Sequence, residues 1–177
     1  TKIWVNAGSR LIYPPLFNRK ERAVHVEGEV FLDVFHDTKR PFIVRTKEFD
    51  IQVTGTSFSL SSYEDIKEQS VVLVEGAVKI KTRNRKEEIT LSPNQKLTYN
   101  NNKYDIETVN TSEYTAWKNG FYQYRSESIN DITRKLTHYY CKFIYCDDKI
   151  ATITCSGKLD LKQDIEKVLE TLCKGAV

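Results

Sequence analysis

The chain has 177 residues, 40% of them apolar and 29% charged, which is the balance of a globular protein with a real core and length enough for one ordinary domain or two small ones. No apolar run approaches the roughly 18 residues that span a bilayer, which excludes a membrane bundle, and no signal peptide opens the chain. The formal charge of +3 is spread as +2 over residues 1–112 and +1 over the rest, so no one-sided basic surface asks for nucleic acid. Because methionine is absent altogether, even as an initiator, we expect a piece of a longer protein from which targeting or membrane segments have been removed.

From Ile3 to about Val109 the apolar residues recur with period two, as in Val24/Val26, Val30/Leu32/Val34, Phe49/Ile51/Val53, Phe58/Leu60, Val71/Leu73, Val78/Ile80, Ile89/Leu91 and Leu97/Tyr99. Such alternation predicts strands with one buried face. Turn signals divide them: Asn6-Ala7-Gly8-Ser9, Tyr13-Pro14-Pro15, His36-Asp37-Thr38, Ser92-Pro93-Asn94 and Asn100-Asn101-Asn102. Many short strands at regular spacing predict an all-β sandwich, barrel or rolled sheet. Within it a Val-Glu-Gly-x-Val segment occurs twice, with Gly28 and Gly76 standing 48 positions apart. A glycine inside a strand marks a bulge, a bend or a close backbone approach, so both are expected at equivalent bends. The densest basic run, Lys79, Lys81, Arg83, Arg85 and Lys86, leads directly into Glu87 and Glu88, which reads as a solvated hairpin tip.

After Trp117 the period changes. Residues 121–124 form a short amphipathic strand, with Phe121 expected inside and Tyr122 and Tyr124 half exposed. Ser128 is placed as a helix cap, with Asp131 in the first turn where its charge suits the dipole. Ile129, Ile132, Leu136 and Tyr139 or Tyr140 follow at helical spacing. Residues 142–145 and 152–155 read as strands. A second helix runs from about Asp160 to Lys174, with Ile165, Val168, Leu169 and Leu172 on one face and Gly175 as its stop. The expected protein is therefore mainly β, with an N-terminal all-β unit over 1–112 and a small α+β module of β-α-β-β-α order over 117–177.

No catalytic constellation emerges. His25, His36 and His138 fall on a strand, a turn and a helix, and no nucleophile elbow, phosphate loop or zinc motif is present. All four cysteines lie in the last 40 residues without a C-x-x-C pair, so no structural zinc site is expected, and nothing calls for a cofactor. Lys118 to Tyr124 is a little like the aromatic RNA-reading strand of an RRM, but it precedes the first helix, where the RNA-reading motif follows it. Trp4, Tyr13, Tyr63 and Tyr99 offer an alternative, a β-sandwich that stacks carbohydrate on a row of exposed rings.

The motifs Ile3-Trp4-Val5-Asn6-Ala7-Gly8-Ser9-Arg10-Leu11, Tyr13-Pro14, Val26-Glu27-Gly28-Glu29, Arg40-Pro41-Phe42-Ile43-Val44 and Val53-Thr54-Gly55-Thr56-Ser57-Phe58 come in an order that resembles FecR-type anti-sigma regulators. The series continues with Val74-Glu75-Gly76-Ala77-Val78, Leu91-Ser92-Pro93-Asn94-Gln95 and Tyr114-Thr115-Ala116-Trp117-Lys118-Asn119-Gly120. Residues 1–112 resemble the FecR domain. The remainder resembles its companion C-terminal domain, which is similar to the short N-terminal signalling domain of TonB-dependent transducers. Asn94 stands where the family has glycine, which implies a looser turn, and the chain stops where the family module continues into further strand.

The resemblance implies a periplasmic sensing region. Its partners would be the signalling domain of a TonB-dependent outer-membrane transporter, a sigma factor reached through a missing cytoplasmic segment, and the inner membrane reached through a missing transmembrane helix. An oxidising periplasm implies at least one disulfide among Cys141, Cys146, Cys155 and Cys173. Because a small module leaves sheet edges without partners, the expected docking residues are Phe121, Tyr122, Gln123, Tyr124, Thr152, Ile153 and Thr154.

Overall fold

The computed structural model describes residues 1–83 and 88–175. The chain divides into two compact units, Thr1–Val5 with Ser9–Thr111, and Asn6–Gly8 with Ser112–Val177.

The larger unit carries the strands β1 (Lys2–Val5), β2 (Arg10–Ile12), β3 (Arg22–Asp33), β4 (Phe42–Arg45), β5 (Phe49–Val53), β6 (Ser57–Ser62), β7 (Gln69–Glu75), β8 (Val78–Thr82), β9 (Glu88–Leu91), β10 (Gln95–Asn100) and β11 (Lys103–Thr108). They form one sheet in the order β11-β10-β7-β6-β3-β4-β5-β8-β9, with β1 and β2 also pairing with β3. The period-two reading is visible in the burial: β8 alternates strictly between buried and exposed, and β4 and β5 between buried and half-buried. The inward residues, among them Phe42, Phe49, Phe58, Leu60, Ile80 and Leu97, meet in one core. Phe49 from one end of the sheet and Tyr99 from the other touch edge to face with ring centroids 5.9 Å apart, so the sheet is curled onto itself.

Strand β3 makes that curl possible. Its first half pairs antiparallel with β2 and parallel with β4, and its second half pairs with β1 and β6. The change of partners falls at Gly28, whose φ is +96°. A Cβ there would lie 2.6 Å from the Ser9 Cβ, and Ser9 Oγ accepts the neighbouring Glu29 amide at 2.8 Å. The echo at Gly76 is a second corner, between β7 and β8, with φ +91°. A Cβ at Gly76 would stand 2.7 Å from the Gly55 carbonyl oxygen, and the Thr56 hydroxyl donates to the Ala77 carbonyl at 2.9 Å. Both glycines therefore occupy bends, as the repeat suggested. Asn94 takes up a left-handed φ of 66°, which asparagine tolerates best after glycine, and its amide bonds to the Leu73 carbonyl of β7 at 2.9 Å, while the Gln95 amide closes the β9–β10 turn on the Ser92 carbonyl at 3.1 Å. Of the basic run, Lys79 and Lys81 both pair with Glu88, at 3.1 and 3.5 Å, while Arg85, Lys86 and Glu87 lie outside the described residues.

The smaller unit runs α1 (Thr111–Thr115), a 3-10 turn (Ala116–Asn119), β12 (Phe121–Ser128), α2 (Ile129–Tyr140), α3 (Asp148–Ala151), β13 (Thr154–Asp160) and α4 (Ile165–Gly175). The fold class is thus mainly β with a small α+β part, as expected, but the order within the small unit differs. Residues 142–145 form no strand, because no neighbouring strand offers a ladder there. Phe143 and Tyr145 point outward instead, with Ile144 alone packed on the core. The strand that does pair with β12 starts two residues later than expected and runs on through Gly157 and Lys158. Ile129, Ile132 and Leu136 of α2 and Ile165, Val168 and Leu172 of α4 cover one face of the β12–β13 pair. Ser128 caps α2 with its Oγ accepting the Asp131 amide at 3.1 Å. The expected disulfide is absent: all four thiols are free, with Cys141 and Cys173 exposed and Cys155 buried in the core.

Candidate partner-docking surface

In the larger unit a cavity of about 670 Å³ is lined by Arg10, His25, Arg45, Glu64, Gln69 and Arg83 among others. Most of its lining charges are matched. Arg10 pairs with Glu27, Arg45 with Glu21 at 3.0 Å, Lys47 with Glu64 at 3.8 Å, and Arg83 with Asp50 at 3.3 Å. On the floor Ser62 donates to the Gln69 side chain at 2.9 Å. His25 lines the cavity, and among the described residues no nucleophile is held against it. Among the described residues no three histidine, cysteine or carboxylate side chains gather around a point that would hold a metal. The row of stacking rings is also not formed. Tyr63 and Tyr99 are buried, Trp4 meets Phe31 edge to face at 5.5 Å, and of the four rings only Tyr13 stands well out. Tyr63 and Tyr99 are core, because a curled sheet needs bulky residues to fill its inside, while Trp4 and Tyr13 are exposed.

The smaller unit is different, since its two-stranded sheet leaves backbone unpaired. β12 and β13 pair only with each other, from Phe121↔Asp160 to Ser128↔Thr154, so each has an outer edge with no ladder partner among the described residues. A β-bulge at Arg125 and Ser126 interrupts the pairing, with Ser126 at φ 48° and its amide bonded to the Ser156 hydroxyl at 2.8 Å. Tyr124 is placed against the helices by its position opposite Gly157. A Cβ on Gly157 would meet the Tyr124 Oη at 2.7 Å, so the ring takes the space that a side chain would have filled.

The two faces of β12 are the reverse of the expectation. Tyr122 and Tyr124 lie on the helix side, where Tyr124 is 7% exposed and Tyr122 packs against the core. Phe121 and Gln123 lie on the open side. The reason is in the partner strand, whose inward residues Cys155 and Leu159 set which face is dry. Burial pushes the Tyr124 hydroxyl and the Cys155 thiol to higher pKa, with the nearby Glu127 adding to both. Glu127 in turn accepts from the Tyr122 hydroxyl at 2.6 Å and from Lys135 at 2.5 Å. These are structural ties and contain no acid–base pair facing a cavity.

Of the expected docking residues, Phe121 to Tyr124 form the first half of β12 and Thr154 opens β13, at opposite ends of the ladder. Thr152 and Ile153 precede the strand. The Ile153 carbonyl accepts from Ile129 at 2.9 Å and its amide donates to Ile150 at 3.0 Å. Sequence reasoning missed the exposed apolar residues Phe143, Tyr145 and Ile150 between α2 and β13, because it had assigned the first two to a strand.

Two family models match this chain. FecR protein covers residues 1–79, and FecR, C-terminal covers residues 121–176. The chain belongs to the FecR family. Two crystal structures from Parabacteroides distasonis ATCC 8503, of a protein assigned as an anti-sigma factor, are similar to this FecR-family chain at 27% identity, over 97% of its length and 81% of theirs, with TM-scores of 0.89 and 0.88. No curated protein matches the sequence significantly. As a FecR-family protein the chain falls among regulators, not catalysts. Among its described residues no helix is long and apolar enough to cross a membrane.

Proposed function

We propose that this chain is the sensing region of an anti-sigma regulator. It lies in the periplasm and reads the loaded state of a TonB-dependent outer-membrane transporter through that transporter's signalling domain. The observation that carries this reading is the match of FecR models to both units, with an anti-sigma assignment on structures that cover nearly the whole chain. The remaining partners follow from it: a sigma factor on the cytoplasmic side and the inner membrane between. The mechanism is a binding equilibrium with no bond chemistry. The transporter's signalling domain must bind two states of the regulator with different affinity, since equal affinity shifts nothing.

The docking surface in this reading is the small unit, through the outer edges of β12 and β13. Unpaired amides and carbonyls accept another strand, and residues 121–124 and 154 are the ones that would meet it. The test is hydrogen exchange on the full chain with and without the purified signalling domain of a TonB-dependent transporter from the same organism. Amides within 121–128 and 154–160 should exchange several-fold more slowly in the complex. Protection confined to residues 1–111 would place the dock on the larger unit and overturn this part of the reading.

A further inference from the structure

We propose that the open face of the small sheet receives a carboxylate side chain of the incoming strand, between the ammonium groups of Lys158 and Lys162 and against the Phe121 ring. This rests on the docking reading above and names the chemistry that the partner must bring.

The helix-covered face of β12–β13 is dry, whereas the opposite face presents Phe121 and Gln123 beside Lys158. The Lys158 Nζ sits 4.1 Å from the Phe121 ring centroid, and the Lys162 Nζ sits 5.0 Å from the same centroid. Two positive charges thus share one ring. The ring's negative face attracts each, while the two ammonium groups repel one another. Neither ammonium has a carboxylate within ion-pair distance among the described residues, whereas Lys135 pairs with Glu127, Arg125 with Glu113 at 3.1 Å and Lys142 with Glu166 at 3.9 Å. The nearest acid along the strand, Asp160, is engaged elsewhere. Its carboxylate accepts from the Lys162 amide at 3.1 Å and from the Gln163 side chain at 3.3 Å, which fixes the turn into α4.

The placement of Lys162 is built in. Gly120 ends the 3-10 turn at φ +79°, and the Lys162 stem lies across it, so close that a Cβ on Gly120 would stand 2.7 Å from Lys162 Cε. Glycine at that position lets the lysine lie flat and carry its charge over Phe121. A strand adding to the outer edge of β12 alternates its side chains between the two faces of the sheet, so every second residue reaches this side. An Asp or Glu there would meet two uncompensated donors and a half-buried ring, and would relieve the repulsion between the lysines.

The experiment is calorimetry of the full chain with the purified signalling domain, at about 50 and 300 mM salt. The wild type should bind several-fold more weakly at high salt, because the contact is between exposed charges. The double variant Lys158→Glu with Lys162→Glu should bind at least ten-fold more weakly at low salt and lose most of the salt dependence, and Phe121→Leu should fall between. Both lysines are exposed, so the fold is expected to survive, and thermal melts of each variant check that. Wild-type affinity and salt dependence in the double variant would overturn the inference and leave the docking reading standing. No binding by the wild type would overturn both. A double variant that loses only its binding to phosphatidylglycerol vesicles would reassign the site to lipid and overturn it as well.

Discussion

Gly28 shows how much of the larger unit hangs on one residue. Its left-handed φ and the 2.6 Å approach of Ser9 leave no room for a side chain at the point where β3 changes partners. Gly28→Ala should therefore cost about 2–4 kcal/mol, from left-handed strain together with the forced shift of Ser9. Gly175→Ala is the control. Nothing lies within 4 Å of that glycine, and the change should stay within about 1 kcal/mol. Urea unfolding of the two variants separates them, and equal midpoints would remove the special role of Gly28. A second expectation at this scale concerns pH. Burial raises the pKa of Tyr63, Tyr124, Tyr140 and Cys155, so each loses its proton less readily folded than unfolded. Their contribution is complete below the unfolded values, about 8.5 for a thiol and about 10 for a phenol, and declines as pH rises beyond them. The urea midpoint should fall between about pH 8 and 10.5, and Cys155→Ala should flatten the early part of that fall. A midpoint that rises over the same range would contradict the assignment.

Helix α2 and strand β13 differ in how far local chemistry announces them. The α2 cap was legible, since a serine followed three residues later by an aspartate and then apolar residues at helical spacing has one plain reading. Ser128→Ala removes the acceptor for the Asp131 amide and should lower stability by about 1 kcal/mol, with Ser128→Gly losing less; thermal unfolding measures both. Strand β13 was legible only at its first two residues. Gly157, Lys158 and Asp160 do not look like a strand, because the side chain that belongs over Gly157 is supplied by Tyr124 from the other strand. The same non-local exchange turned β12 over, putting its tyrosines inward and Phe121 outward. Residues 142–145 show the converse, a correct period with no neighbour to pair with. The β-rich unit was read more faithfully because alternation reports a buried face directly, and its two bent glycines stood in a visible repeat. The pairing of Phe121 with lysines 37 and 41 positions later has no local signature at all.

At the scale of the whole chain, each compact unit has its own core, and the two cores differ in size. Among the described residues, twenty buried hydrophobic residues make up the larger and ten the smaller. Since buried apolar area is the main stabilising term, we propose that the units unfold separately and that the smaller one goes first. The sequence supplies the reporters, for it holds only two tryptophans, and the division of the chain assigns Trp4 to the larger unit and Trp117 to the smaller. Trp117 is suited to the task, because its ring nitrogen is buried without a bond among the described residues and will change environment sharply on exposure. In Trp4→Phe, fluorescence follows the smaller unit, and in Trp117→Phe it follows the larger. The urea midpoint seen in the first variant should lie below that seen in the second, with circular dichroism of each variant showing both steps. A single midpoint shared by all probes would mean that the chain folds as one cooperative body.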